Sequence, residues 1–328
     1  MGNISAIILG TGSSLPERIV TNFDLEKMMD TTDEWITTRT GIRERHVASE
    51  SEFMSLFATD ASKKAIEMAA IDPEQIDMII CATVTPDMPI PSTACTIQVN
   101  LKAKKAAAFD LAAGCSGFIY ALAVANQFIL TGCYENILVI GAELLTKYLD
   151  WTDRATSVIF ADGAGAVIVS RGERPRGILA TSLHTDGSML DFIQIPAGGT
   201  IHPASERTVE QRMHYIKMKG NETFKIAVRS LEDVAKEVIE KAGFKPGDID
   251  LFIPHQANKR IIDAVASRLS LDSKKVYINI ERIGNTSAAS IPIALDEAVR
   301  NHLVKEGDNL LFAAFGAGLT WAAAIVKW

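Results

Sequence analysis

Cysteine is a residue that this sequence uses sparingly. Its 328 residues include four cysteines, and no two of them have C-x-x-C spacing. The low count excludes the disulfide framework of a small secreted domain, and the spacing favours neither a zinc site nor another metal centre. We therefore expect reduced thiols and a cytoplasmic protein. The four cysteines are Cys81, Cys95, Cys115 and Cys133.

A net positive charge and long apolar runs are also absent from the sequence. The chain carries 33 lysines and arginines against 40 aspartates and glutamates, and its net charge of −7 argues against a nucleic-acid partner. The longest apolar run, over residues 118–125, is too short to span a bilayer. The N-terminal stretch MGNISAIILGTGSSLP has no charged n-region and predicts no signal peptide. We expect neither a nucleic-acid partner nor a membrane.

The sequence does contain an internal duplication. Residues 65–82, AIEMAAIDPEQIDMIICA, and residues 238–255, VIEKAGFKPGDIDLFIPH, share seven identical positions without a gap. Both segments predict the end of an amphipathic helix, a proline turn and a buried strand. Chance similarity is the alternative, but strand–turn–helix patterns follow in the same order downstream of each copy. We expect two related halves, residues 1–175 and 176–328.

An apolar helix indicates the fold. From Cys115 to Leu130 the predicted helix is apolar on nearly every face, so other elements must cover all of its sides. Strands such as DMIICA and ILVIGA are equally apolar and predict sheets that are buried on both faces. Two related halves meet both requirements if each places one helix between two sheets. The predicted fold is therefore α/β, a five-layer αβαβα sandwich whose central helices begin at Cys115 and just after Asn285.

Three side chains are candidates for chemistry. Cys115 begins the apolar helix, where the positive end of the helix dipole should lower its pKa, although such a cysteine can equally be a core residue. His255 follows the carboxyl end of an apolar strand, the edge at which α/β sheets bind ligands. Asn285 occupies the matching turn of the second half, as a catalytic donor or as a helix cap. Because these positions are equivalent edges of related units, we expect all three to converge on one site.

The motifs around these residues resemble one family. DLAAGCSGF, PHQAN and GNTSAAS, in this order and spacing, are similar to those of β-ketoacyl-ACP synthase III, a condensing enzyme of the thiolase superfamily. The resemblance covers essentially the whole chain and includes TTDEWITTRTGIRERH and the terminal FGAGLTWAAA. It implies a thiolase-like fold and decarboxylative Claisen condensation of an acyl-CoA primer with malonyl-ACP, which initiates fatty-acid synthesis. It implies no cofactor, because the CoA thioester is a substrate.

The resemblance also implies catalytic roles. Cys115, in the first half, would attack the primer thioester and carry the acyl group. His255 and Asn285, in the second half, would stabilise the enolate that forms when malonyl-ACP loses CO2. His255 could also help to deprotonate Cys115, alongside the helix dipole. The backbone N–H groups of Cys115 and Ala317 would form the oxyanion hole, with alanine where the family often has glycine.

Substrate contacts follow from the same resemblance. An indole and guanidinium groups can hold the adenine and phosphates of CoA, and a basic helical face would dock the acidic carrier protein. In the family's homodimer, a residue of the partner subunit closes the acyl pocket. That residue is often phenylalanine, and Ile90 in its place predicts a longer or branched primer. The implied CoA-binding residues are Trp35, Arg39, Arg154 and Asn258, and the implied docking residues are Lys225, Arg260 and Arg268.

Two segments have a predicted backbone conformation, and three other functions fit the sequence. ADGAGAV, residues 161–167, predicts a turn rather than a dinucleotide-binding loop, because the full G-x-G-x-x-G pattern is absent. Residues 199–215 predict an exposed loop. The alternative functions are a starter-unit condensing enzyme or acyltransferase of secondary metabolism, of polyketide or quinolone type, a Cys-His thioester hydrolase, and a non-catalytic carrier-binding protein.

Overall fold

Strands and helices alternate along residues 3–328, the part of the chain that this computed structural model describes. The strands form two large sheets and two small ones, which pair β2 with β3 and β9 with β10. The strands are β1 (Ile4–Ser14), β2 (Ile19–Thr21), β3 (Glu44–His46), β4 (Met78–Ala82), β5 (Ala107–Leu111), β6 (Asn136–Leu144), β7 (Asp162–Glu173), β8 (Gly177–Thr185), β9 (Ile193–Gln194), β10 (Lys217–Met218), β11 (Leu251–Pro254), β12 (Asn309–Gly316) and β13 (Thr320–Lys327).

The helices differ in length and in how completely they are covered. Within residues 3–328, none of them is both long enough and apolar enough to cross a bilayer. The α-helices are α1 (Asn22–Glu26), α2 (Asp33–Thr40), α3 (Met54–Ala69), α4 (Thr93–Leu101), α5 (Gly117–Leu130), α6 (Arg154–Ser157), α7 (Glu206–Glu210), α8 (Gly220–Lys241), α9 (Lys259–Arg268), α10 (Ile280–Ile283) and α11 (Ser290–Arg300).

The two large sheets have the same architecture. The first has the strand order β1-β7-β6-β4-β5 and the second the order β8-β13-β12-β11. In each order the first three strands pair antiparallel and the fourth joins in parallel. Where the first sheet continues to β5, the second has a single bridge between Phe252 and Val276. The expected boundary at residues 175 and 176 falls between β7 and β8, and the division into two domains stays a prediction.

Alternating side chains on the strands separate the core into layers. Ile80 of β4 and Phe312 of β12 pack with α5 and α11 in one apolar cluster between the two sheets. Their neighbours face outward, Ile79 towards α3 and α4, and Leu311 towards α8 and α9. The layers are therefore α3 and α4, the first sheet, α5 and α11, the second sheet, and α8 and α9. The predicted five-layer αβαβα sandwich is confirmed.

Each central helix starts from a short 3-10 turn, Gly114–Ser116 before α5 and Ser287–Ala289 before α11. The second turn lies directly against β6. A Cβ atom on Gly141 of β6 would come within 2.2 Å of the carbonyl oxygen of Ala288. Only glycine permits this approach without moving the turn. The predicted starts of both central helices fall within these turns.

The prediction of a turn at residues 161–167 is wrong, because Asp162 to Val167 lie inside strand β7. The small residues there serve close packing instead. A Cβ atom on Gly165 would lie 2.6 Å from the backbone nitrogen of Ile293, since α11 crosses the strand at this point. The segment 199–215 includes the short helix α7, and Ile201 in this segment is exposed.

Replacing Phe312 with alanine tests the central layer. The side chain is fully buried in the cluster between the sheets. We expect F312A to lower the free energy of unfolding by about 3–5 kcal/mol, through lost apolar burial and a residual cavity. F23A is the matched control, because Phe23 is 61% exposed, and it should change stability by less than about 0.5 kcal/mol. Equal effects in a denaturant titration would contradict the layered core.

Candidate active site

Cys115 lies where two backbone segments touch. Gly114 has a φ of +54°, and a Cβ atom on it would lie 2.9 Å from the backbone nitrogen of Ala317. A Cβ atom on Gly316 would lie 2.4 Å from the backbone nitrogen of Cys115. Side chains at these two glycines would push the segments apart. The turn before α5 and the end of β12 thus bring Cys115 and Ala317 side by side.

Burial controls the charge of the Cys115 thiol. It raises the pKa of Cys115 to about 11, and the Ser287 hydroxyl, whose Oγ lies 3.3 Å from Sγ, opposes the rise because it can donate to a thiolate. The backbone N–H groups of Cys115 and Ala317 also face the sulfur and lower its pKa, but less strongly. The N–H groups at the start of the helix thus lower this pKa, but burial outweighs them, and the expected net lowering is wrong. At neutral pH the cysteine is an uncharged thiol, although part of its surface is exposed.

His255 follows β11 and is almost fully buried. Its backbone N–H donates to the carbonyl oxygen of Ala313 over 2.8 Å, which fixes it beside β12. Its Nδ1 lies 2.7 Å from Ser290 Oγ, and that hydroxyl accepts the backbone N–H of Gln256 over 3.3 Å. We assign the ring proton to Nε2, because Nδ1 then accepts a hydrogen bond from the Ser290 hydroxyl.

The same burial keeps the imidazole of His255 uncharged. It lowers the pKa of His255 to about 3. At neutral pH the ring is therefore a neutral donor through Nε2–H. A neutral imidazole with its proton on Nε2 can donate a hydrogen bond to an oxyanion, and it needs no prior protonation to do so.

Asn285 is held by its backbone and by its amide oxygen. Its N–H donates to the carbonyl oxygen of Ile159 over 3.1 Å, and its own carbonyl accepts from Ala161 over 2.9 Å. The side-chain Oδ1 accepts the backbone N–H of Ser287 over 2.9 Å. This bond satisfies the turn before α11 and leaves Nδ2 as the donor end of the amide. The cap and the donor that the sequence left as alternatives are thus compatible.

Three residues of the site were not predicted from the sequence: Glu143, Ser287 and Ser290. Glu143 is the second-last residue of the apolar strand β6 and has no exposed surface. Its carboxylate accepts from Thr85 Oγ1 over 2.5 Å and from the backbone N–H of Val84 over 3.2 Å. Burial raises the pKa of Glu143 to about 7, and these hydrogen bonds oppose the rise. An acidic residue inside NILVIGAEL was the available signal.

The four implied CoA-binding residues form one surface cluster. Two guanidinium groups lie close to the Trp35 ring, with Cζ of Arg39 at 4.6 Å and Cζ of Arg154 at 4.8 Å from its centroid. Asn258 is committed elsewhere, because its Nδ2 donates to the carbonyl oxygen of Arg39 over 2.9 Å and its Oδ1 caps α9. The stacked cations and indole can hold a flat base and phosphates, while Asn258 anchors the end of α2.

The implied docking residues lie on the exposed faces of two adjacent helices. Lys225 is on α8, and Arg260 on α9 lies over the ring of Phe224 at 5.3 Å. Arg268, at the end of α9, pairs with Glu232 over 2.7 Å. Lys225 and Arg260 therefore offer positive charge outward, whereas the charge of Arg268 is partly neutralised.

Ile90 lies in the connection between β4 and α4 and is 82% exposed. Such exposure is unusual for a large aliphatic side chain and fits a residue that a second subunit covers. The described residues contain no group of three or more histidine, cysteine or acidic side chains that could hold a metal ion.

The tautomer and charge of His255 can be read directly by ¹⁵N NMR. We expect Nε2–H and a neutral ring from about pH 8 down to about pH 5, because the folded pKa of about 3 lies below the ordinary 6.5. Since the folded pKa is depressed, the stability that the neutral ring contributes is present above about pH 6.5 and is lost as the pH falls towards 3. S290A is the control, which should lose the tautomer preference. Protonation of His255 near pH 6.5 in the folded protein would contradict this assignment.

Comparison with known proteins places this geometry in a family. The family model described as 3-Oxoacyl-[acyl-carrier-protein (ACP)] synthase III matches residues 109–187, and its C-terminal model matches residues 239–328. These ranges include the turns and strand ends that carry Cys115, His255, Asn285 and Ala317.

Proteins similar over the full length give the same answer. Beta-ketoacyl-[acyl-carrier-protein] synthase III of Caldanaerobacter subterraneus subsp. tengcongensis is 59% identical over 99% of this chain and 98% of its own. The protein of that name from Clostridioides difficile is 52% identical over 99% of both chains. The crystal structure of 3-oxoacyl-[acyl-carrier-protein] synthase III from Aquifex aeolicus has a TM-score of 0.91 at 52% identity, covering 98% of this chain and 100% of its own. The chain belongs to the 3-oxoacyl-[acyl-carrier-protein] synthase III family of thiolase-fold condensing enzymes.

Proposed function

We propose that this chain joins an acyl-CoA primer to malonyl-ACP by decarboxylative Claisen condensation and so initiates fatty-acid synthesis. The observation that carries the proposal is the arrangement of donors around one thiol. The backbone N–H groups of Cys115 and Ala317 face Sγ, and the turn that holds Asn285 contacts the same sulfur through Ser287. The 59% identity to a synthase III over nearly the whole chain supports the same reaction.

Acyl transfer comes first. Cys115 attacks the thioester carbonyl of the primer, the bond from that carbon to the CoA sulfur breaks, and the acyl group stays on Sγ. The negative charge on the carbonyl oxygen is stabilised by the N–H groups of Cys115 and Ala317. Fixed backbone donors suit this task because the glycine contacts at Gly114 and Gly316 hold them in place before the reaction.

Condensation follows at the same sulfur. Loss of CO2 from malonyl-ACP leaves an enolate, whose oxygen accepts hydrogen bonds from Nε2–H of His255 and from the Asn285 amide. The enolate carbon attacks the acyl-cysteine carbonyl, the carbon–sulfur bond to Cys115 breaks, and the β-ketoacyl chain remains on the carrier. The neutral state of His255 supports this role, because a ring with a pKa of about 3 is a donor that needs no protonation step.

Substrate docking uses the surface residues. The adenine and phosphates of CoA bind to the cluster of Trp35, Arg39 and Arg154. Asn258 anchors the end of α2 that carries Arg39. Lys225 and Arg260 attract the acidic carrier protein, and Arg268 contributes less because Glu232 pairs with it. The reaction as proposed needs no cofactor, since CoA enters as a substrate, and it takes place in the cytoplasm.

A starter-unit condensing enzyme of secondary metabolism is the second candidate. The priming β-ketosynthase of the R1128 polyketide pathway supports it, with 36% identity and a TM-score of 0.91. Relatives named beta-ketoacyl-[acyl-carrier-protein] synthase III reach 59% identity, which favours the fatty-acid reaction.

Mass spectrometry of the acylated protein tests the reaction. We expect an acyl-CoA primer to add one acyl group to Cys115, and malonyl-ACP to remove it with release of CO2. C115A should form no adduct and lose condensation. C95S is the matched control, because Cys95 is an exposed cysteine on α4, and it should behave like the wild type. An adduct that disappears by hydrolysis without carbon–carbon bond formation would favour the thioester hydrolase instead.

The proposed homodimer makes Ile90 a determinant of primer length. In such a dimer this exposed side chain enters the partner's acyl pocket, so I90F should shrink the pocket. We expect kcat/KM for branched or longer primers to fall about tenfold relative to acetyl-CoA. This is the size of effect that one extra methylene has in an apolar pocket. L303F, at another exposed aliphatic residue, should leave the ratio unchanged. A monomer in sedimentation, or an unchanged ratio in I90F, would count against this role.

A further inference from the structure

The proposed acyl transfer leaves one proton without a destination. Cys115 rests as a thiol, so its attack on the primer must release the S–H proton. In the assigned tautomer His255 offers no free lone pair to receive it, because Nδ1 accepts from Ser290 and Nε2 carries the ring proton. The proton needs another acceptor inside the site.

A serine and a carboxylate lie on the other side of the sulfur. Ser287 Oγ is 3.3 Å from Cys115 Sγ and 3.3 Å from Glu143 Oε1. A hydroxyl has a single proton to donate, so Ser287 can donate to only one of these neighbours and must accept from the other. With the thiol protonated and the carboxylate charged, the chain runs from Cys115 S–H to Ser287 Oγ, and from Ser287 O–H to Glu143.

The backbone is built to bring these groups together. Ser287 has a φ of +49°, a backbone conformation that residues other than glycine rarely adopt. Its N–H donates a hydrogen bond to the amide oxygen of Asn285. Gly141 and Glu143 are two residues apart on β6 and therefore face the same side of the sheet. The missing side chain at Gly141 lets the turn before α11 approach β6, and this approach places Ser287 against Glu143.

We propose that Ser287 and Glu143 form a proton relay that takes the thiol proton of Cys115 during acyl transfer, an inference that rests on the proposed function. As the S–C bond to the primer forms, the S–H bond breaks and its proton passes to Ser287 Oγ. Ser287 passes its own proton to Glu143, which becomes a neutral carboxylic acid. When Cys115 leaves as a thiolate in the condensation step, a proton returns from Glu143 through Ser287 and restores the thiol. The CoA thiolate released in acyl transfer takes its proton from solvent, so each turnover consumes one external proton.

The electrostatic surroundings suit a carboxyl group that gains and loses a proton near neutrality. Burial raises the pKa of Glu143 to about 7, while Thr85, Val84, Thr83 and Ser287 supply hydrogen bonds that favour the carboxylate. The titratable groups that sense its charge are Cys115 on the turn before α5, Cys81 on β4 and Tyr148 after β6, and burial raises the pKa of all three. Above about pH 7 the relay is therefore ready to accept, and below it the acceptor is already protonated.

The test compares two reactions of the same thiol. One is the single-turnover transfer of an acyl group from acyl-CoA to Cys115, measured by rapid quench and mass spectrometry between about pH 5.5 and pH 9. The other is alkylation of Cys115 by iodoacetamide, a small reagent that reacts with the thiolate and needs no relay. In the wild type we expect the acyl-transfer rate to rise through about pH 7 and then level off, following ionisation of Glu143.

E143Q keeps the shape of the side chain but removes the acceptor. We expect acyl transfer to fall on the order of a hundredfold at pH 8 and to lose the levelling above pH 7. Alkylation should not fall, because the charge of Glu143 raises the pKa of Cys115 and its removal favours the thiolate. If Glu143 acted only through this charge, E143Q would accelerate acyl transfer, and that result would overturn the proposal.

S287G interrupts the relay and keeps the Glu143 side chain, and glycine accepts the positive φ of this position. It should slow acyl transfer to a similar degree, and it decides the matter if E143Q does not fold. D162N is the matched control, because Asp162 is also a buried carboxyl whose pKa is raised, to about 6, but it binds Ala48 and Thr146. We expect D162N to change the acyl-transfer rate by less than about threefold across this pH range, because the Asp162 carboxylate binds Ala48 and Thr146 rather than the relay.

The wild-type arm separates the two proposals. If wild-type protein forms no acyl-cysteine from any acyl-CoA primer, the proposed function fails, and the relay fails with it. If the wild type is acylated and both E143Q and S287G are acylated at the wild-type rate and pH profile, the function stands and the relay is overturned.

Discussion

Everything in this structure depends on burying two helices between two sheets. α5 and α11 bury most of their side chains, so both sheets must cover them. Glycine is required where the backbones come closest, as at Gly141. The helices begin at short turns, and the first N–H groups of a helix have no acceptor within the helix itself. The fold therefore places fixed backbone N–H donors in its buried central layer, next to Cys115.

The same burial sets the charge of each reactive group. It raises the pKa of Cys115 to about 11, lowers that of His255 to about 3 and raises that of Glu143 to about 7. A resting thiolate–imidazolium pair is thus disfavoured, and the site at neutral pH holds a thiol, a neutral ring and a carboxyl poised between its two forms. Such a site suits decarboxylation, which converts a charged carboxylate into neutral CO2 and gains from a dry environment.

The sequence was sufficient for the architecture because the evidence there is local and repeated. The helix after Cys115 is apolar on all faces, and the duplicated segments ending at Ala82 and His255 place two sheets around it. The side chains that adjust the site were not predictable in this way. Glu143 and Ser287 are 144 residues apart, and only the approach at Gly141 shows that they meet.

The wrong predictions have a related cause. The helix dipole suggested a lowered pKa for Cys115, but the dipole acts from one turn whereas burial comes from every element around the sulfur. The small residues near Gly165 suggested a turn, but they accommodate α11, which is distant in the sequence. Each error concerns packing between elements, which periodicity within one element does not report.

The start of α11 determines where protons can go on both sides of the site. Ser287 and Ser290 are three residues apart, and they face different partners, Cys115 with Glu143 and His255 respectively. In the assigned tautomer Ser290 donates to Nδ1, and His255 donates through Nε2. That arrangement suits an oxyanion but leaves the ring unable to act as a base, which is why the thiol needs the carboxylate on its other side. One helix terminus thereby separates the donor of the condensation step from the acceptor of the acyl-transfer step.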